Sequence, residues 1–216
     1  MTFDAVSIFK KSFVMLFTDP FLFGLAIVYA LIYIIFGVYL SYSFGDISKS
    51  IANISLINLS YLLIYTVLVF LATTFISGMA FLRVAGKKKT LNKMIVKACK
   101  RYPSLLATTF LTSVVIMLGF IAFIIPGIYL AFKLILSPVS SVVEDKSPID
   151  AMKRSWHITL WNWWRIFALF LLFYLVLLVI SFLPYISYFF AFVIVISYPL
   201  LFTALKKRIN PSYHIS

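Results

Sequence analysis

The chain has 216 residues, 63% of them hydrophobic and 12% charged, with 19 Lys and Arg against 6 Asp and Glu for a net charge of +13. Soluble domains average roughly 45–50% apolar and about 25% charged residues, so this composition excludes one. The single cysteine, Cys99, excludes an internal disulfide and a thiolate metal cage.

At the N-terminus, Asp4 precedes any lysine and no small-residue cleavage motif follows the first apolar run. The first span is therefore expected to be permanent. Residues 6–17 have helical periodicity: Val6, Phe9, Phe13, Leu16 and Phe17 share one arc, with Asp4, Ser7, Lys11 and Thr18 opposite. No charged residue follows from Pro20 to Gly45, and none from Ser50 to Leu82. About 20 apolar residues cross the ~30 Å hydrocarbon core of a bilayer as a helix, so these runs are two spans.

Between them and the next run lies a basic segment. Lys87, Lys88, Lys89, Lys93, Lys97, Lys100 and Arg101 are its cations, and Leu91, Ile95, Cys99 and Tyr102 form an apolar stripe. Seven cations beside a span suit anionic lipid headgroups, at about 1 kcal/mol each near the surface. Nucleic acid is not an expected partner, because a membrane-locked face already accounts for the basicity.

From Tyr102 to Val143 the only charge is Lys133. That run is too long for one crossing, and Ile124-Ile125-Pro126-Gly127 is expected to divide it. An ionisable group at membrane depth marks a functional site unless its stem snorkels to the surface or it makes a contact within the helix bundle. Lys133 therefore has two readings: snorkelling or a bundle contact, or part of a polar path. Pro138 frees the carbonyl of Leu134, which Ser137, Ser140 and Ser141 could satisfy while lining a wet crevice.

Ser147-Pro148-Ile149-Asp150 has the form of a helix start, with a serine cap, proline in the first turn and a carboxylate three residues on. In the helix it opens, Ile149, Met152, Trp156, Leu160 and Trp163 face one way, and Asp150, Lys153, Arg154 and His157 the other. Trp156, Trp161, Trp163 and Trp164 form an interfacial anchor belt. The last uncharged run, Ile166 to Leu205, is divided at Leu183-Pro184-Tyr185.

The spans then fall near 21–43, 57–82, 104–124, 127–143, 166–183 and 186–205. With six spans, every basic residue of the 19 except Lys49 and Lys133 lies on one side. Short-loop lysine and arginine mark the cytoplasmic face, which places both termini inside a cell membrane. The expected fold is an all-α integral membrane protein of three hairpins, each preceded by a cytoplasmic amphipathic helix lying in the headgroup plane. It forms a single domain over residues 1–216. Phe9-Lys10-Lys11-Ser12-Phe13 parallels Met152-Lys153-Arg154-Ser155-Trp156, and Gly78, Pro138 and Pro199 each break a second hairpin helix near its end. Three repeat-like units follow, about 1–86, 87–146 and 147–208.

No Asp, Glu or His lies within a predicted span, so carboxylate pairs, a nucleophile with its histidine, and buried metal sites are unavailable at depth. The reading is a non-enzymatic multi-pass protein without a cofactor that engages inner-leaflet lipids, a membrane protein partner or a second copy of itself. The rival is a small permease or channel component with its path near Lys133 and Pro138.

One further pattern runs from Ile125-Pro126-Gly127-Ile128-Tyr129-Leu130 through Pro138-Val139 and Glu144 to Ala151-Met152-Lys153-Arg154-Ser155-Trp156-His157-Ile158-Thr159, with Trp164 and Phe167. It resembles the poorly characterised six-helix prokaryotic membrane proteins of the YciC-like family and the membrane domain attached to some glycerophosphodiester phosphodiesterases. The family-like positions are Pro126, Gly127, Lys133, Pro138, Glu144, Arg154 and Ser155. The resemblance implies the six-helix layout. No phosphodiesterase catalytic segment lies within these 216 residues, so that activity is not implied.

Overall fold

In the computed structural model the described residues are 5–44, 56–85, 91–160, 162–180, 182 and 186–209. Among them the chain is helical with no strand: α1 (Ala5–Thr18), α2 (Pro20–Phe44), α3 (Leu56–Ala85), α4 (Leu91–Ala122), α5 (Ile124–Leu134), α6 (Ser137–Val143), α7 (Pro148–Thr159), α8 (Trp163–Ile180) and α9 (Ile186–Ile209). Six stretches are long and apolar enough to cross a membrane: Pro20–Tyr39, Ser60–Ala85, Asn92–Ala122, Ile124–Val143, Trp163–Ile180 and Ser187–Lys207. The protein is thus an all-α multi-pass membrane protein. Lys49, Lys87, Lys88, Lys89, Trp161, His214 and the Leu183-Pro184-Tyr185 turn lie outside the described residues.

The second helix of each hairpin is the inner one. In the second spans 33%, 44% and 56% of the residues are buried, against 17%, 22% and 17% in the first. Accordingly α3, α6 and α9 pack on one another at the centre, while α2, α4 and α8 lie outside them. Each amphipathic segment rests on the second helix of another hairpin: α1 on α9, the start of α4's span on α3, and α7 on α6.

Local chemistry decides where the helices end. At the α1/α2 junction the Asp19 carboxylate accepts from the Phe21 N–H at 3.1 Å, which caps α2 and ends α1. Tyr102-Pro103, which precedes the third span as Asp19-Pro20 precedes the first, has no carboxylate to offer. There the Tyr102 hydroxyl donates to the Leu71 carbonyl at 2.6 Å, and helix α4 runs unbroken from the basic segment into the span. The separate surface helix expected before the second hairpin is therefore the first part of a longer one.

The second hairpin also turns earlier than expected. The break is the extended residue Phe123, φ −165° and ψ 154°, and Pro126 sits in the first turn of α5, where its missing N–H costs nothing. Gly127 is a contact rather than a turn: a Cβ there would come within 2.9 Å of the Phe120 Cα. A Cβ on Gly119 would meet the Gly127 Cα at 3.1 Å. These two glycines let α4 and α5 approach closely, the usual device where helices meet in lipid. The fourth span is interrupted at Ile135-Leu136, and Pro138 lies in the first turn of the short α6.

Candidate functional site

The break between α5 and α6 is repaired by α7. The Lys133 carbonyl accepts from Ser155 Oγ at 2.8 Å and from Thr159 Oγ1 at 3.1 Å, and the Leu136 N–H donates to Ser155 Oγ at 3.2 Å. In return, Lys133 Nζ donates to the carbonyl of Leu160, the C-cap of α7, at 3.1 Å. A cation at a helix C-terminus also meets the negative end of the helix dipole. The Lys133 ammonium lies 5.3 Å from the Tyr129 ring centroid and 5.4 Å from that of Trp156, and the residue is 1% exposed. Lys133 therefore does not snorkel; it makes the bundle contact.

Ser137, Ser140 and Ser141 do not repair the break, in contrast to the sequence expectation. The Ser141 hydroxyl pairs with that of Ser104 at 2.9 Å, and the buried hydroxyls of Ser137 and Ser140 have no partner among the described residues. Sequence reasoning missed Ser155 and Thr159 as the repairing groups. The available signal was small residues at four-residue spacing, Ala151, Ser155 and Thr159, which form the packed face of α7 together with Ile158. The stripe with Ile149 and Trp156 points outward. Tyr129, Trp156, Trp163, Trp164 and Phe167 continue it as a chain of ring contacts.

The other charges gather at the end of the bundle away from Phe123. Glu144, at the end of α6, accepts from Lys206 at 2.8 Å and Arg154 at 3.2 Å, tying α6, α7 and α9 together. Burial pushes its carboxyl up, but Lys206 and Arg154 outweigh that and hold it below the usual carboxylate range. Asp19 pairs with Arg83 at 2.7 Å, and Asp150 accepts from the Ser147 hydroxyl at the start of α7. Asp145 pairs with Arg101 at 2.8 Å and Lys97 at 3.0 Å. Every acidic residue among those described has a partner.

One charged surface stays open. A groove of about 480 Å³ is lined by Asn92, Lys93, Val96, Lys97, Lys100, Arg101 and Asp145. Lys93 and Lys100 are exposed. Twenty residues counted back from Ala122 span roughly 30 Å and end near Pro103. The groove, which begins two residues further out, therefore lies at headgroup depth. Among the described residues no three His, Cys, Asp or Glu side chains come together as a metal site.

Residues 48–205 match the model of UPF0259, an uncharacterised protein family. A UPF0259 membrane protein of Buchnera aphidicola subsp. Schizaphis graminum is 36% identical over 69 residues, 32% of this chain and 28% of that protein. One from Buchnera aphidicola subsp. Acyrthosiphon pisum (strain Tuc7) is 35% identical over 80 residues, 37% of this chain and 32% of that protein. The chain thus spans about a third of the length of these curated relatives. No solved structure matches the chain.

Proposed function

We propose, from the premise that this chain belongs to the uncharacterised UPF0259 family of membrane proteins, that it acts without catalysis at the inner leaflet of the cell membrane, where it binds anionic lipid headgroups. The observation that carries this reading is the groove on α4, with four cations and one carboxylate at headgroup depth. Cations so placed attract anionic lipid at about 1 kcal/mol each. The lysine and arginine bias supports a cytoplasmic location for this end and for both termini.

The permease reading needs Lys133 to face a path. Its ammonium instead lies between two rings and a carbonyl, which favours the headgroup reading. The packing of each amphipathic segment on another hairpin's inner helix supports reading the chain as three related units.

Spin-labelled lipids test the proposal. In mixed bilayers, the protein should hold a larger motionally restricted fraction of spin-labelled phosphatidylglycerol than of phosphatidylcholine. The doubly substituted Lys93→Gln, Lys100→Gln protein should lose most of that excess. Equal fractions for the two lipids with the native chain would refute headgroup binding.

A further inference from the structure

The groove contains its own counter-ion. Asp145 sits in the left-handed region at φ 56°, the one non-glycine residue with positive φ among those described. Such a conformation is uncommon outside glycine, asparagine and aspartate, and persists where the surroundings fix it. Here both flanks are fixed. Glu144 is held by Arg154 and Lys206, the Lys146 carbonyl accepts from Ser104 Oγ at 3.2 Å, and Ser147 caps α7. The loop is therefore set in place, and it delivers one carboxylate to Lys97 and Arg101.

Resting on the headgroup reading above, we infer that the groove selects a lipid whose headgroup is a phosphate monoester, with Asp145 as the counter-ion displaced from Lys97 and Arg101 when the phosphate occupies them. The argument is one of charge. A phosphodiester headgroup such as that of phosphatidylglycerol carries one negative charge, so at Lys97 and Arg101 it only replaces the charge it evicts, and its attraction comes from Lys93 and Lys100. A monoester carries about −1.5 to −2 near neutral pH and three acceptor oxygens. Its additional charge is a net gain, and it falls between Lys97 and Arg101 on one side and Lys93 and Lys100 on the other. Displacement needs only a swing of the Asp145 side chain, since the backbone on both sides stays pinned. Exposed ion pairs of this kind are weak, so a dianion can break them.

The test is native mass spectrometry of the full chain in neutral detergent, titrated with dioleoyl phosphatidic acid, phosphatidylglycerol or phosphatidylcholine. The native protein should bind phosphatidic acid about fivefold more tightly than phosphatidylglycerol, the worth of roughly one further charge near the surface. Asp145→Asn keeps a side chain that tolerates the left-handed backbone and removes the competitor. It should raise the affinity for both anionic lipids by about the same factor, because the eviction it spares is common to both. Asp145→Glu should retain the preference.

Native protein that binds both anionic lipids equally, yet above phosphatidylcholine, would overturn the selectivity and leave the proposed function standing. No excess over phosphatidylcholine for either lipid would overturn both. Affinities for both anionic lipids unchanged in Asp145→Asn would overturn the counter-ion role. Displacement of phosphatidic acid by millimolar inorganic phosphate would make this a soluble-phosphate site and overturn the lipid assignment. Should Asp145→Asn fail to fold, Lys100→Gln reads the same groove. It should weaken phosphatidic acid about fivefold and leave phosphatidylcholine unchanged, and an unaffected phosphatidic acid affinity would overturn the site.

Discussion

Lys133 and the cations at the start of α4 carry the same charge in opposite circumstances. Lys133 is enclosed by Tyr129, Trp156 and the Leu160 carbonyl, and its own backbone oxygen is claimed by Ser155 and Thr159. Lys93 and Lys100 stand exposed at the rim of an open groove. A charge in a low-dielectric interior is tolerated only when its donors are directed at acceptors, so the buried lysine is committed to holding α5, α6 and α7 together. A charge at headgroup depth needs no protein partner and can serve the headgroup contact proposed above. Position relative to the bilayer, rather than residue type, separates structure from candidate function here.

Substitutions on the two sides of that comparison should therefore differ in size and in kind. Ser155→Val removes a hydroxyl that serves both the Lys133 carbonyl and the Leu136 N–H; the carbonyl keeps Thr159, but the buried amide is stranded. A loss of about 3 kcal/mol is expected, read as a lower unfolding midpoint in detergent. Lys133→Ala leaves the Leu160 carbonyl unpaired and opens space beneath two rings, and about 2 kcal/mol should be lost in the same assay.

Glu144 gives an intermediate, pH-dependent effect. Its folded carboxyl titrates below the usual glutamate range, so its contribution is fully present above that range and is lost as pH falls through the folded value. Unfolding midpoints should decline in acid, and Glu144→Gln should flatten that part of the profile. Smallest of all, Lys93→Gln with Lys100→Gln should change stability by less than about 0.5 kcal/mol while removing anionic lipid preference. A large stability loss from that pair would erase the distinction between the two regions.

The membrane class and the number of spans were legible because charge is excluded from hydrocarbon over long uninterrupted runs. Boundaries were less so. The same Xaa-Pro junction ends a helix where Asp19 supplies a capping carboxylate and runs on where Tyr102 does not. Pro126-Gly127 has the form of a turn in one dimension, whereas in space the proline opens a helix and the glycine makes room for Phe120. The basic candidates of the α4 groove could be read directly, since surface charge is a local property. The partner of each could not: Lys97 finds Asp145 across 48 residues, and the Lys133 carbonyl finds Ser155 across 22. Such pairs exist only once the helices have packed. The outward stripe of α7 was visible as apolar periodicity, but its packed face is small and hydroxylated, a pattern that a search for hydrophobic cores passes over.

The native cysteine allows the most direct test of where the basic end lies. Cys99 is exposed on α4, between Lys97 and Lys100, and it is the chain's single thiol, so no background substitution is needed. A membrane-impermeant maleimide applied to intact cells should leave Cys99 unmodified, and modification should appear only after the membrane is permeabilised. Labelling in intact cells would put the groove on the outer surface and contradict its assignment to the inner leaflet.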